Sequence, residues 1–299
     1  MSVKMKNNIV AVVVTYNRKE LLKECIEELT KNKEIDVMII DNASTDGTAD
    51  MVREYTSNKL FYVNTGKNLG GAGGFNFGIK EALKHDNYDY IWIMDDDTIV
   101  HEDSLEKLVE KAELLNGEFS FLSSVALWKD ETLCNMNVQK TSNKTIEHYS
   151  EILKGILYID YASFVSCFIN VKSIREVGLP IKEFFIYGDD MEYTMRLNTY
   201  KPGYLVPNSI VTHKMGSNDG INIVDADVSR IDRYFYNYRN LLFIHKKYDK
   251  REYRTFKLRC YYLIFKVILK SKNHKLKRAK TIIKALIKAR KFNPQIEKM

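Results

Sequence analysis

Three consecutive carboxylates, Asp95, Asp96 and Asp97, stand at the end of the apolar run Ile91-Trp92-Ile93-Met94 and are followed by Thr98. Side chains alternate along a strand, so Asp95 and Asp97 can face the same way where the strand gives out. Two carboxylates so placed repel each other unless a cation lies between them. A hard divalent ion with oxygen ligands, itself holding phosphate oxygens, suits that position. A second acidic cluster, Asp189-Asp190-Met191-Glu192, follows the aromatic approach Phe184-Phe185-Ile186-Tyr187 and begins a helical pattern. Carboxylates in a first helical turn can serve as caps, but a helix N-terminus also keeps a carboxylate ionised, as a general base requires. His213 closes an apolar stretch, and imidazole is a common completing ligand in an acidic metal site.

The elements that must position these residues are legible from the N-terminal side onward. Ile9 to Val14 is continuous and β-branched, as a strand buried on both faces of a parallel sheet should be. Thr15-Tyr16-Asn17-Arg18 follows, then a helix over residues 19–30 with Leu21, Leu22, Cys25, Ile26 and Leu29 on one stripe. A second strand, 36–40, runs into Asp41-Asn42-Ala43-Ser44-Thr45-Asp46-Gly47-Thr48 and a helix to about Tyr55; a third strand spans 60–63. This repeat predicts an α/β, doubly wound, mostly parallel and Rossmann-like sheet, whose ligands sit beyond the carboxyl ends of the strands. Thr15 to Arg18, Asp41 to Asp46 and Asp95 to Asp97 all reach that edge.

Residues 64–78 hold six glycines in fifteen residues and read as a loop entering a helix at Ile79. Such a loop, with Asn68, Gly70 and Gly71, lets the backbone approach a ligand or offers main-chain donors to an anion. It is not a dinucleotide fingerprint, because Asn76 takes the last glycine's place, and no Gly-Lys-Ser/Thr closes a P-loop. Beyond the triplet the pattern predicts a helix over 104–115, a strand over 119–127 and a polar, irregular insertion over 129–150. An apolar aromatic stretch (158–171), a short helix (173–177), two short strands (204–206 and 210–212) and an aromatic helix (234–242) follow.

Four scattered cysteines without CxxC spacing fit a reducing compartment and argue against a zinc site. No signal-peptide pattern and no apolar run of membrane-spanning length is present, so a cytoplasmic protein is expected. The net charge of +7 hides an asymmetry: residues 245–299 carry 19 Lys/Arg against 3 Asp/Glu, leaving 27 against 36 for residues 1–244. The expected division is therefore an acidic globular body over 1–244 and a basic amphipathic tail over 245–299. On the tail, Ile282, Ile283, Leu286 and Ile287 form one stripe and Lys280, Lys284, Lys288 and Lys291 another, the pattern of a helix lying on an anionic membrane surface. Packing on the body or on a second subunit of a homo-oligomer is the alternative; nucleic acid is not expected, since the acidic body offers it no groove.

Taken in order, Thr15-Tyr16-Asn17-Arg18, Asp41 to Thr48, Asp95-Asp96-Asp97, Asp189-Asp190 and His213 resemble the family 2 glycosyltransferases of GT-A fold over about residues 8–215. Asn68-Leu69-Gly70-Gly71-Ala72-Gly73-Gly74-Phe75, with the three aspartates and an Asp-Asp-x-Glu helix start, looks most like the bacterial galactofuranosyltransferases. The resemblance implies a UDP-sugar donor whose uridine is held by Thr15, Asn17, Arg18, Asp41 and Asn68, with Gly70 and Gly71 beside it. Asp95 would meet the ribose or the metal, with Asp96 next to it. Asp97 and His213 would ligate Mn²⁺ or Mg²⁺ on the diphosphate. Asp190 would be the general base, with Asp189 as the alternative, and Glu192 would orient the acceptor. A lipid-linked oligosaccharide at the inner face of the cell membrane is the implied acceptor. Tyr187-Gly188 stands where a Trp often precedes the Asp-Asp pair, and no β-domain precedes the first strand, so one or a few sugar additions are expected. Other readings are a dTDP-rhamnose or UDP-hexopyranose donor, a nucleotidyltransferase, and a non-catalytic sugar- or nucleotide-binding module, which loss of the base would mark.

Overall fold

The structure is a computed structural model and describes residues 8–55, 57–85, 87–142, 149–218, 220 and 222–299. β1 (Ile9–Thr15) is buried along its whole length, as its valines and isoleucine require. It lies between β2 (Asp36–Asp41) and β4 (Tyr90–Asp95), parallel to both, and β3 (Leu60–Asn64) extends the sheet beyond β2. Thr15 pairs with Asp41 and Val14 with Asp95, so one register brings three predicted site residues to one sheet edge.

The full order is β3-β2-β1-β4-β9-β6-β10-β8-β7, with β6 (Phe121–Leu127), β7 (Lys140–Thr141), β8 (Leu157–Tyr161), β9 (Cys167–Asn170) and β10 (Gly203–His213). β9 runs against both β4 and β6, while β6 and β10 keep the direction of β1. The sheet is thus mixed but mostly parallel. The two short strands expected at 204–206 and 210–212 are one strand, interrupted by a register shift between Val206 and Ile210 where Pro207 cannot donate to the ladder. A three-residue strand, β5 (Thr98–Val100), pairs antiparallel with β10 and sets Thr98 opposite His213.

Helices cover both faces. α1 (Lys19–Leu29), α2 (Thr48–Arg53) and α4 (Ser104–Leu114) lie over one apolar layer containing Trp92, Leu22 and Leu108. α3 (Gly70–Ala82), α6 (Val171–Val177) and α7 (Asp189–Leu197) lie over the other, with Val12, Ile93 and Tyr193. A short α5 (Tyr149–Leu153) precedes β8.

The glycine-rich stretch departs from its sequence reading. It is helical from Gly70, not from Ile79. A Cβ at Gly74 would lie 2.5 Å from Val14 Cγ1, and one at Gly78 would lie 2.6 Å from Val12 Cγ1 and 2.7 Å from Ile40 Cγ1. These glycines let a helix lie directly on β1 and β2, so they act in packing. The polar insertion is also more ordered than expected, since β7 and a Leu127–Leu133 bridge fall within it; residues 143–148 of that expectation lie outside the described residues.

The expected boundary at 244/245 falls inside α8 (Tyr234–Tyr248), and the basic segment that follows is folded onto the body. α9 (Lys250–Lys270) and α10 (Lys275–Ala289) pack with α8 around Tyr238, Cys260, Val267 and Ile282. Ile282, half of the stripe expected to face a membrane with Leu286, is turned into this cluster together with it. Past α10 the chain returns to the domain: the Phe292 ring meets Phe184 and Phe243, Leu179 N–H donates to the Glu297 carbonyl, and the Glu297 carboxylate pairs with Lys80 and Lys182. Among the described residues no helix is long and apolar enough to cross a membrane.

Gly78→Ala is expected to destabilise the protein by about 1–3 kcal/mol through overpacking against β1 and β2. Gly71→Ala, whose Cβ would meet nothing within 4 Å, is expected to be neutral or slightly stabilising. Urea midpoints of the two variants against the parent measure the contrast.

Candidate active site

β1 and β4 end side by side, and their terminal residues interlock. Thr15 Oγ1 donates to Asp96 Oδ2 at 2.7 Å. The Arg18 guanidinium, one turn further on, bonds Asp96 Oδ1 at 3.2 Å and Asp97 Oδ2 at 2.6 Å. His213, delivered by β10, places Nε2 2.9 Å from the other Asp97 oxygen. Its Nδ1 lies 2.9 Å from Asn137 Oδ1. Burial would lower the His213 pKa, but the Asp97 hydrogen bond and charge outweigh it and lift the ring to about 10. The imidazolium can then donate from both nitrogens, to Asp97 and to Asn137.

The three aspartates titrate apart. Burial and the neighbouring Asp97 charge raise Asp95 to about 6. Burial raises Asp96 to about 7 against the pull of Arg18. Burial pushes Asp97 the same way, yet His213 and Arg18 together hold it below the usual carboxylate range.

One ligand atom from each of Asp95, Asp97 and His213 lies within 4.8 Å of the other two. Two carboxylates and an imidazole suit a divalent cation, and three protein ligands leave positions for water or phosphate oxygens. Asn137 supplies the outer hydrogen bond that fixes a ligating ring. The His213 proton must leave Nε2 before that nitrogen can ligate. The residues therefore fit the metal that the sequence suggests.

A second group lines the same edge. Asn17 has a left-handed backbone, φ 53°, and its Oδ1 accepts the Thr45 N–H at 2.7 Å while its own N–H reaches Ser44 Oγ. Asp41 is fully buried, with one oxygen accepting the Ser44 N–H and the other the Tyr62 hydroxyl. Asn68 Oδ1 caps the chain at the Gly70 N–H, and Asn42 Nδ2 donates to the Gly70 carbonyl. Gly71 is open on its Cβ side.

The second acidic cluster joins this edge through one loop. Phe185, Tyr187 and Gly188 all have positive φ, at 65°, 68° and 78°. Asn240, fully buried on α8, directs its amide nitrogen at the carbonyls of Phe184, Ile186 and Tyr187, 3.0, 3.1 and 2.7 Å away. Arg239 beside it donates to the Glu183 and Phe184 carbonyls. Phe185 O in turn accepts the Ala72 N–H, and a Cβ on Gly70 would lie 2.2 Å from that oxygen. α3 and the loop before Asp189 are therefore in backbone contact.

Asp189 and Asp190 lie close enough to the triplet for the Asp95 charge to raise both. Burial and then Asp190 push Asp189 well up, toward the neutral acid. Burial lifts half-buried Asp190 to about 6, opposed by the Met191 N–H at 2.7 Å. Glu192 does not share this site. It is wholly buried, and its carboxylate is taken up by Arg196, Lys247 and Tyr248. The expectation that it orients an acceptor is corrected accordingly: it ties α7 to α8.

Asn137, Arg239 and Asn240 escaped the sequence reading. The last two had a signal, a polar pair inside an aromatic helix; Asn137 had none within its polar insertion.

The structure of the mannosyltransferase PcManGT from Pyrobaculum calidifontis, in complex with GDP-Man and Mn²⁺, matches 96% of this chain and 76% of its own, with a TM-score of 0.54 at 15% identity. The mixed sheet with its acidic edge is the GT-A fold. More narrowly, residues 10–144 match the profile of the family described as Glycosyl transferase family 2. It is 28% identical over 162 residues to the poly-beta-1,6-N-acetyl-D-glucosamine synthase of Staphylococcus aureus (strain COL), covering 53% of this chain and 34% of that protein. It is 28% identical over 214 residues to the galactofuranosyltransferase GlfT1 of Mycobacterium tuberculosis (strain ATCC 25618 / H37Rv), covering 64% of this chain and 65% of that protein. The chain thus spans about a third of the first relative's length and just under two thirds of the second's.

Asn137→Ala is expected to weaken Mn²⁺ binding about 10- to 100-fold by freeing the His213 ring, without changing the urea midpoint appreciably. Calorimetric titration with Mn²⁺ measures it.

Proposed function

We propose that this chain is an inverting glycosyltransferase that moves galactofuranose from UDP-galactofuranose to a hydroxyl of a lipid-linked cell-surface glycan intermediate. The supporting observation is the approach of Asp190 to the Asp95–Asp97–His213 cluster, near enough for the Asp95 charge to act on it. In this reading a proton acceptor for the nucleophile lies near the group of residues suited to a diphosphate. In this reading Thr15, Asn17, Arg18, Asp41 and Asn68 hold the nucleoside, with Gly70 and Gly71 beside the donor and Asp96 steadying Thr15 and Arg18. Asp95, Asp97 and His213 would hold Mn²⁺ or Mg²⁺, which when bound neutralises charge on the departing diphosphate.

Asp190 carries the chemistry of the acceptor. Its carboxylate takes the hydroxyl proton as the acceptor oxygen forms its bond to the anomeric carbon. The bond from that carbon to the diphosphate oxygen breaks in the same displacement, and the electron pair leaves with the nucleoside diphosphate. The anomeric centre inverts, and the proton passes from Asp190 to solvent. Asp189, pushed toward its neutral form, serves as a hydrogen-bond donor beside the base; unequal environments divide a carboxyl pair in this way.

The furanose donor rests on the likeness to GlfT1 and on the residues 68–75 that accompany the triplet. The equal identity to a protein named for an N-acetylglucosamine polymer favours, as a second reading, a UDP-hexopyranose on the same machinery. A peripheral position on the inner face of the cell membrane accords with the basic C-terminal helices.

Nucleoside-diphosphate release from UDP-galactofuranose, UDP-galactopyranose, UDP-glucose and dTDP-rhamnose, with Mn²⁺ or EDTA and a lipid-linked oligosaccharide extract, tests the reading. Metal-dependent release from UDP-galactofuranose alone is expected; release from another donor instead would remove the furanose assignment. Asp190→Asn is expected to lower transfer at least about 100-fold, the weight of a positioned base, while UDP affinity stays unchanged. A base must be ionised to work, and Asp190 is raised to about 6. Transfer should therefore rise with pH through about 6 and be lost below it, as a pH–rate profile would record.

A further inference from the structure

α9 packs on α8 and α10 with one side only. Cys260 and Val267 are buried there, and Phe256, Leu263 and Ile264 are partly covered. On the opposite side Leu258, Tyr261, Tyr262, Phe265, Ile268 and Leu269 recur at intervals of three and four, one face of a helix. All six are exposed, Leu258 at 69%, Tyr262 at 65%, Phe265 at 62% and Leu269 at 60%. Single exposed apolar residues are ordinary, but a contiguous row of this size marks a surface that meets something.

The charges around the row say what. Arg251 and Arg254 continue it at its N-terminal end, Lys257 borders one flank, and Lys266 and Lys270 border the other. Residues 253–296 contain no Asp or Glu. We propose that this face of α9 docks into an anionic phospholipid surface. Its leucine, isoleucine and aromatic side chains enter the boundary between headgroups and acyl chains, and its Arg and Lys side chains reach the lipid phosphates. Tyrosines suit that boundary, having an apolar ring and a polar tip. A second copy of the chain is the other occupant to weigh. Face-to-face pairing would bring two strongly basic surfaces together, which their like charge opposes, whereas an anionic bilayer supplies the complement.

This docking surface differs from the one expected on residues 279–292, whose Ile282 and Leu286 are committed to the interior of the hairpin. It deepens the reading of a membrane-held acceptor and rests on that reading for its purpose. It can be tested without donor or acceptor, so loss of either conclusion leaves the other standing.

The full chain is sedimented with vesicles of phosphatidylcholine alone and of phosphatidylcholine with phosphatidylglycerol. Binding to the mixed vesicles is expected to exceed that to the neutral ones by at least about tenfold. Leu258→Ser, Phe265→Ser and Leu269→Ser together should reduce it by at least about tenfold, with far-UV circular dichroism unchanged. Undiminished binding by this variant would overturn the proposal. So would a dimer of the parent, seen by analytical ultracentrifugation without lipid, that the same substitutions dissolve. Phe265→Trp provides a reading that does not depend on the triple variant. Its indole emission should shift to the blue on anionic vesicles, and unshifted emission from vesicle-bound protein would reject insertion at this face.

Discussion

Asp95, Asp96 and Asp97 crowd three carboxylates into one step of chain at the edge of a buried sheet, and their mutual repulsion governs what surrounds them. Two cations answer it from different parts of the sequence: Arg18 from the turn after β1 and His213 from the end of β10. Both converge on Asp97, which alone is held below its ordinary range, while burial lifts Asp95 and Asp96. The edge is therefore graded in charge. Its residues resist deprotonation where burial outweighs the cations beside them, as at Asp96 despite Arg18, and a more highly charged cation bound there would release protons.

That edge would be of little use without a second wall, and the second wall depends on close backbone approach. Gly74 and Gly78 let α3 sink onto β1 and β2. Gly70, at the start of the same helix, then touches the carbonyl of Phe185, in the loop that leads to Asp189 and Asp190. Asn240 holds the other side of that loop with one amide group. Phe185 and Tyr187, two non-glycine residues of positive φ in that loop, are held by contacts from two helices, strain that the surroundings over-determine.

Much of this was legible in the sequence because its signals are local. A β-branched run followed by a polar turn and an amphipathic helix defines a β-α unit wherever it occurs, and the three acidic or polar turns could be placed at one edge from topology alone. That Asp97 and His213 belong to one site is what the family resemblance implied; the hydrogen bond between them is a finding of the structure. The role of the glycines was not, because a glycine that admits a ligand and one that admits a strand are the same letter; only the distance to Val12 and Val14 separates them. Glu192 was misread for a similar reason. Its neighbours in sequence are acidic, whereas its partners, Arg196 one turn along and Lys247 and Tyr248 far along the chain, bury it as part of an ion network. Asn137 belongs to a segment without periodicity, and its contact with His213 exists only in three dimensions.

The joint between α8 and α9 is a single residue, Asp249, whose side chain accepts the N–H groups of Arg251 and Glu252. α8 grips the loop before Asp190 near its middle and runs into the basic hairpin at its C-terminal end. With the segment after α10 pinned again near Leu179 and Lys80, the hairpin is fastened at both ends. It cannot act as a leash that lets the catalytic edge roam. If α9 meets a lipid surface as proposed, this double attachment would hold the height and tilt between that surface and Asp190. Under the proposed function, the length of an acceptor from its anchorage to its reacting hydroxyl would then be a quantity the fold itself could discriminate.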